Sequence, residues 1–151
     1  AEREVVNGEE RIVPPISLEH GRPTPAVTAW LVHYEAHTPG VDACGPATTR
    51  LSPTSGPEPD VLLRILPECG GQTTDTPRYI DGPPELVVEV ATSSAGYDLG
   101  PKLDDYQAAG VKEYLVWQTH RIPRITWFGL RRKKYVALPV GADGLIRSEV
   151  F

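Results

Sequence analysis

Cysteine is scarce: Cys44 and Cys69 are the only two in 151 residues. Two are too few for a disulfide framework, and neither has a partner at zinc-site spacing. The plain expectation is a pair of reduced thiols in a cytoplasmic protein. Apolar runs are short as well. None approaches the roughly 18 residues of a membrane span, so no membrane partner is expected. No signal-peptide pattern opens the sequence. Gly96 and Gly100 do not form a phosphate-binding glycine loop. Ser93 and Ser94, followed by Tyr97, lack the histidine spacing of a nucleophile motif. His33 and His37 stand four apart, but no third zinc ligand accompanies them, so a solvated helix face is expected.

Proline and glycine are plentiful, at 16 and 14 residues, which predicts short elements and frequent turns. A 16.5 kDa chain with 40% hydrophobic residues suits one core and a single domain over residues 1–151. The sequence stops in what reads as mid-element, so a fragment trimmed at one or both ends is expected. The net charge of −5 is unevenly spread. Residues 1–118 carry 8 basic and 18 acidic side chains, whereas residues 119–151 carry 7 basic and 2 acidic. Arg121, Arg124, Arg131, Arg132, Lys133 and Lys134 make a local basic stretch able to hold a nucleic-acid backbone on an acidic protein. The same stretch would also serve as a solvated turn.

The opening EREVVNGEERIV reads as two strands, about 3–6 and 9–13, joined by an Asn7-Gly8 hairpin turn. Pro14 and Pro15 stop the pairing. Thr24 can cap a helix beginning at Pro25 and ending near His37, with Val27, Trp30, Leu31 and Tyr34 on its core face. Strands are expected around 44–51, at 60–66 and at 85–91, the last buried on both faces. Residues 67–84 read as a long loop. A helix over 99–109, capped by Gly110, precedes a strand at 113–118. Strands near 122–128, 133–138 and 146–151 complete the chain. Tyr106 and Trp117 read most simply as core. The order argues for an α/β or α+β domain, a mixed β-sheet with flanking helices and an N-terminal β-hairpin.

Two acids stand out. Asp60 opens one apolar strand, and Glu89 interrupts another. A carboxylate inside an apolar strand must be paired, metal-bound or at an edge. If the two strands are neighbours, both carboxylates can share Mg2+, which takes about six oxygens and usually binds through one or two carboxylates plus waters and phosphate. Lys102 follows 13 residues after Glu89, in the first turn of the next helix. From there its ammonium could orient a water or stabilise a transition state. It could equally pair with Asp98 or Asp105 at the surface. His20 sits where a loop meets the first helix and is an ancillary candidate.

These segments resemble a known family. EREVVNGEERIVPPIS, PDVLLRIL, PPELVVEVATSSAGYDLGPKLDDYQAAGVKEYLVW and IRSEVF are similar to the Uma-two family of the PD-(D/E)xK, restriction-endonuclease-like superfamily. The resemblance covers nearly the whole chain. It implies a restriction-endonuclease-like sheet core, dependence on Mg2+ or Mn2+, and cleavage of DNA by a metal-activated water. Asp60 would be the aspartate of the PD element and Glu89 the acid of (D/E)xK. Two residues on stands Ala91, not lysine, and Lys102 could restore the charge from the helix. A further acid could come from Glu4, Glu9 or Glu19. Trp117-Gln118-Thr119 stands where relatives often carry Val-Asp-Pro. A homodimer would let two sites cut opposite strands. The alternatives are a catalytically silent nucleic-acid-binding or dimeric module of the same fold, and a hydrolase of another phosphodiester.

Overall fold

A computed structural model of the chain describes residues 3–13, 15 and 17–151, leaving out the side chains of Glu19 and His20. In order, the elements are β1 (Arg3–Val6), β2 (Glu9–Ile12), α1 (Leu18–Gly21), α2 (Thr24–Ala36), β3 (Val41–Cys44), β4 (Thr49–Arg50), β5 (Val61–Ile65), a 3-10 turn (Pro67–Cys69), β6 (Thr74–Asp75), β7 (Ile80–Asp81), β8 (Leu86–Ala91), α3 (Ala95–Asp98), α4 (Pro101–Ala109), β9 (Glu113–Gln118), β10 (Arg124–Arg131) and β11 (Lys134–Ala137). A six-stranded sheet runs β11-β10-β9-β8-β5-β3. Only β8 and β9 are parallel neighbours in it. A parallel pair needs a crossover, and α3 and α4 supply it.

Both faces of this sheet are covered. On β8, Leu86, Val88 and Val90 pack with Val27 and Leu31 of α2. Val87 and Ala91 turn to the opposite face, where Tyr106 of α4 meets Tyr114 and Val116 of β9. This two-sided burial explains why the β8 sequence is apolar throughout except at Glu89. Among the described residues, no helix is long and apolar enough to cross a membrane.

The β1–β2 hairpin forms as its sequence predicts. Asn7 and Gly8 both take positive φ, 52° and 78°, and set the register Val6↔Glu9, Glu4↔Arg11. The ribbon docks on the start of α4, where Asn7 Nδ2 donates to the Pro101 carbonyl at 3.0 Å. It also docks on the 52–56 turn, where Gly56 N donates to the Val5 carbonyl at 2.9 Å.

Several elements differ from the sequence expectation. The strand expected over 44–51 is two pieces, β3 and β4, split at Gly45-Pro46. A Cβ on Gly45 would lie 2.4 Å from the Asp60 carbonyl oxygen, so backbones touch here, and Pro46 has no N–H to continue a ladder. The helix expected over 99–109 begins at Pro101. Gly100 separates it from α3 with φ −120° and ψ −105°. The loop over 67–84 holds β6 and β7, which form a small sheet with β4. Helix α2 starts at Thr24, with Pro23 at its N-cap and no side-chain cap bond. The last strand, expected over 146–151, does not form. The buried Glu113 carboxylate takes the amides of Glu149 and Val150, at 2.6 and 3.2 Å.

Gly45 packs directly against the backbone that carries Asp60, so Gly45→Ala should lower stability by about 1–3 kcal/mol through overpacking. A urea unfolding curve checks this, and an unmoved midpoint would show that the Asp60 backbone yields freely.

Candidate functional site

The site is built where β8, α4 and the β1–β2 hairpin meet. Alternation along β8 sends Glu89 to the α4 face with Val87 and Ala91. Lys102 and Tyr106, four residues apart, share the face of α4 that looks back at it. Lys102 Nζ lies 3.0 Å from Glu89 Oε1, and the Tyr106 hydroxyl donates to the same oxygen at 3.0 Å. Glu4 of β1 closes over the ammonium, with Oε2 at 3.2 Å from Nζ. Glu4, Glu89 and Lys102 are each no more than 6% exposed.

Asp60 arrives from the next strand. The β5–β8 pairing runs from Leu63↔Leu86 to Val61↔Val88. One residue before β5, the Asp60 side chain takes the place of a ladder bond, accepting from Val90 N at 2.7 Å. It is thereby fixed beside Glu89. Asp98, the last residue of α3, accepts from Ser94 Oγ at 2.5 Å and is 3% exposed.

Electrostatics follow from this crowding. Burial pushes the Glu89 carboxyl from an ordinary 4.5 up to about 8. Lys102 pulls it down, and the charges of Asp60 and Asp98 add to the rise. Burial alone would lower Lys102, but Glu89, Glu4 and Asp98 outweigh it and hold the ammonium above its usual range. Burial likewise raises Asp98. Tyr106 is raised well above 10.0, first by burial and then by Glu89, so it stays a neutral hydrogen-bond donor.

A cleft of about 290 Å³ opens over this cluster, lined by Glu4, Arg11, Glu58, Asp60, Glu89, Asp98 and Lys102, among others. The three residues singled out in the sequence, Asp60, Glu89 and Lys102, thus border one cavity. Lys102 does not form the surface pair expected as the alternative. Its partners are Glu89 and Glu4, while Asp105 accepts instead from Ser55 Oγ. Among the acids left open in the N-terminal segment whose side chains are described, Glu4 lies in the cluster. Glu9 sits exposed at the hairpin turn, two positions past the Glu4↔Arg11 pair, and does not line the cleft. The side chains of Glu19 and His20 lie outside the described residues.

The basic stretch is divided by the fold. Through the registers Glu89↔Val116 and Val116↔Thr126, Arg124 lies at the open end of β8, level with Ala91. It shares the sheet face of Phe128 and Glu89. Arg121 is in the adjoining turn, with φ 58°. Arg131 to Lys134 form the opposite hairpin end, roughly 23 Å from Arg124 along the strand. There Arg132 and Lys133 make the turn with φ 49° and 64°, and Arg131 is paired with Glu149. His33 and His37 have rings 4.5 Å apart on the exposed side of α2.

Arg11, Glu58 and Asp98 line the cleft although sequence reasoning gave them no site role. A signal for Arg11 existed, since a two-residue turn places it opposite Glu4.

Among the described residues, no group of three or more His, Cys, Asp or Glu side chains stands in a metal-holding arrangement. The donor set nevertheless fits Mg2+ or Mn2+. Such an ion needs only one or two carboxylates, the rest being water and phosphate, and Asp60 and Glu89 offer two on neighbouring strands at a cleft rich in negative charge.

A mixed sheet with helices on both faces carries acids on two neighbouring strands and a lysine on the helix that follows, and the fold is restriction-endonuclease-like. The model of the Uma2 family, described as "Putative restriction endonuclease", matches residues 2–151, and the chain belongs to this family. A crystal structure of a nuclease, described as putative and assigned to DUF820, from Anabaena variabilis shares the fold. Its TM-score is 0.66 at 12% identity, covering 97% of this chain and 86% of that one. No curated protein matches the chain.

The raised Glu89 pKa carries a stability consequence. With no metal bound, the Glu89–Lys102–Glu4 cluster holds one more proton in the folded chain than in the unfolded one between pH 4.5 and about 8, a proton that a metal at Glu89 would displace. Its contribution is therefore full below 4.5 and is lost as pH rises toward 8, by up to about 1.4 kcal/mol per unit. Glu89→Gln should remove that slope. Urea unfolding in chelator across this range checks it, and parallel stability curves for the two proteins would refute the raised pKa.

Proposed function

We propose that the chain is a metal-dependent DNA endonuclease that hydrolyses a phosphodiester at the Glu89 cleft. The observation that carries this reading is the contact of Lys102 with Glu89, beside an Asp60 fixed on the neighbouring strand. The family description supports a nuclease role, and the residues support the chemistry. Asp60 and Glu89 would hold Mg2+ or Mn2+, which when bound lowers the pKa of a coordinated water and offsets charge on the phosphate. Lys102 keeps its proton and sets a fixed positive charge at the floor of the cleft. A preorganised charge in a site poor in water stabilises developing anionic oxygen without reorganisation. The Tyr106 hydroxyl and Lys102 together hold one oxygen of Glu89, which fixes the carboxylate's orientation.

Arg121 and Arg124, at the open end of β8, would meet the flanking backbone of a bound duplex. The Arg131 to Lys134 hairpin would reach DNA only if the duplex extended across the sheet. A homodimer would present two clefts, one for each strand.

A second reading is a silent binding module. The close burial of Lys102 between two carboxylates favours it, because the cluster holds together without an ion. Titration calorimetry with Mg2+ and Mn2+ separates the two, since the silent module binds neither ion at the acids.

Supercoiled plasmid should be nicked in Mg2+ by the wild type. Asp60→Ala, Glu89→Ala and Lys102→Ala should each slow nicking by about 10²–10⁴-fold. Cleavage undiminished in all three variants would remove the site from the reaction.

A further inference from the structure

We infer that Arg11 is the cation that receives a substrate phosphate at the mouth of the cleft, held in place by Tyr97. This inference rests on the nuclease reading above and names a residue for it.

The charge balance of the cleft leads to Arg11. Its described lining holds five acids, Glu4, Glu58, Asp60, Glu89 and Asp98. The cations in that lining are Lys102 and Arg11. Lys102 is 6% exposed, and its ammonium lies between Glu89 at 3.0 Å and Glu4 at 3.2 Å. Its charge is largely taken up inside the cluster. A phosphodiester entering this cavity would face carboxylates, and like charges repel strongly where water is scarce. A metal between Asp60 and Glu89 offsets part of this, but Glu4, Glu58 and Asp98 stay on the walls. Arg11 is half-buried at that wall and is the cation available to an incoming anion.

Geometry prepares it for that role. In the hairpin register Arg11 lies directly opposite Glu4, so both project from one face of the ribbon. The Arg11 guanidinium carbon stands 3.7 Å from the centroid of the Tyr97 ring. Lys102 Nζ lies 5.9 Å from the centroid of the same ring. A guanidinium carries its five N–H donors as a planar fork, which leaves donors for a ligand beyond the Tyr97 contact. That fork matches two phosphate oxygens, which a lysine ammonium does not do. The aromatic contact also limits the rotamers that binding would otherwise have to order. Tyr97 belongs to α3, the segment joining the strand of Glu89 to the helix of Lys102. Arg11 is therefore positioned from the same frame as the acids. A simpler role would be to neutralise Glu4, but the Glu4 carboxylate is already engaged by Lys102.

Fluorescence anisotropy of a labelled DNA duplex with the intact chain in Ca2+, across a salt series, tests this. Arg11→Ala and Arg11→Gln should weaken binding by about tenfold or more and reduce the slope of log affinity against log salt by about 1. Arg11→Lys should restore the slope but only part of the affinity. Tyr97→Ala should reproduce part of the loss. In the wild type, one neutral methylphosphonate at the contacted position should cost as much as Arg11→Ala, and combining the two should cost no more than either. If the wild type binds DNA and both neutral variants bind equally well with the same slope, Arg11 has no phosphate and the inference falls while the nuclease reading stands. Weaker binding without a change of slope would mark a packing role and also overturns it. A wild type that neither binds nor nicks DNA defeats both readings together.

Discussion

A buried ammonium is the constraint on which this site depends. Removing a charge from water costs several kcal/mol after relaxation, and only close, well-bonded counter-charges offset that. Lys102 meets the requirement with carboxylates from two other parts of the chain, Glu89 on β8 and Glu4 on β1. One cation thus ties a strand, a helix and the N-terminal ribbon to a common point. Were the hairpin to lift away, Lys102 would lose Glu4, and Asn7 its bond to the Pro101 carbonyl. The ribbon is therefore a wall of the site, and its docking and the charge balance of the cleft are one requirement.

The same constraint explains which features could be read from sequence. Strand β8 was legible because burial on both faces demands an unbroken apolar run, and Glu89 was legible because it breaks that run. Asp60 was legible through its place at a strand start. The choice of Glu4 over Glu9 was not, although the Asn7-Gly8 turn already fixes Glu4 opposite Arg11. What sequence could not say is where along the ribbon the cluster touches it. The Val5–Gly56 and Asn7–Pro101 contacts decide that, and they join residues far apart in the chain.

Long-range partners also account for the misplaced elements. The segment near 146–151 reads as a last strand from sequence alone. Its amides are drawn away by the Glu113 carboxylate, which also accepts from Trp127 Nε1 and Ser148 Oγ. A buried carboxylate with four donors is a stronger sink than an edge ladder, and nothing local to 146–151 announces it. The basic stretch taught a related lesson. Composition counts Arg121 to Lys134 as one patch, but an antiparallel hairpin sends its two ends in opposite directions. Only Arg121 and Arg124 remain at the end of the sheet where the cleft opens.

Ala91 is where these threads meet. It follows Glu89 by two positions and so faces the same side of the sheet, where the family resemblance leads one to look for a lysine. In this fold the position is fully buried and packed in the cluster containing Tyr106 and Val116. A long stem at 91 would have to displace that packing, at a cost of about 1–3 kcal/mol or more. The Tyr106 ring fills the α4 side of this face, and its hydroxyl holds Glu89 from there. Lys102, one helical turn earlier, brings the ammonium to the same carboxylate oxygen from the side that remains open. A small residue at 91, an aromatic at 106 and a lysine at 102 therefore fit as a set: the ring takes space near the strand, and the charge comes from the helix. Changing any one of them alone would leave either a void or a collision beside a buried carboxylate.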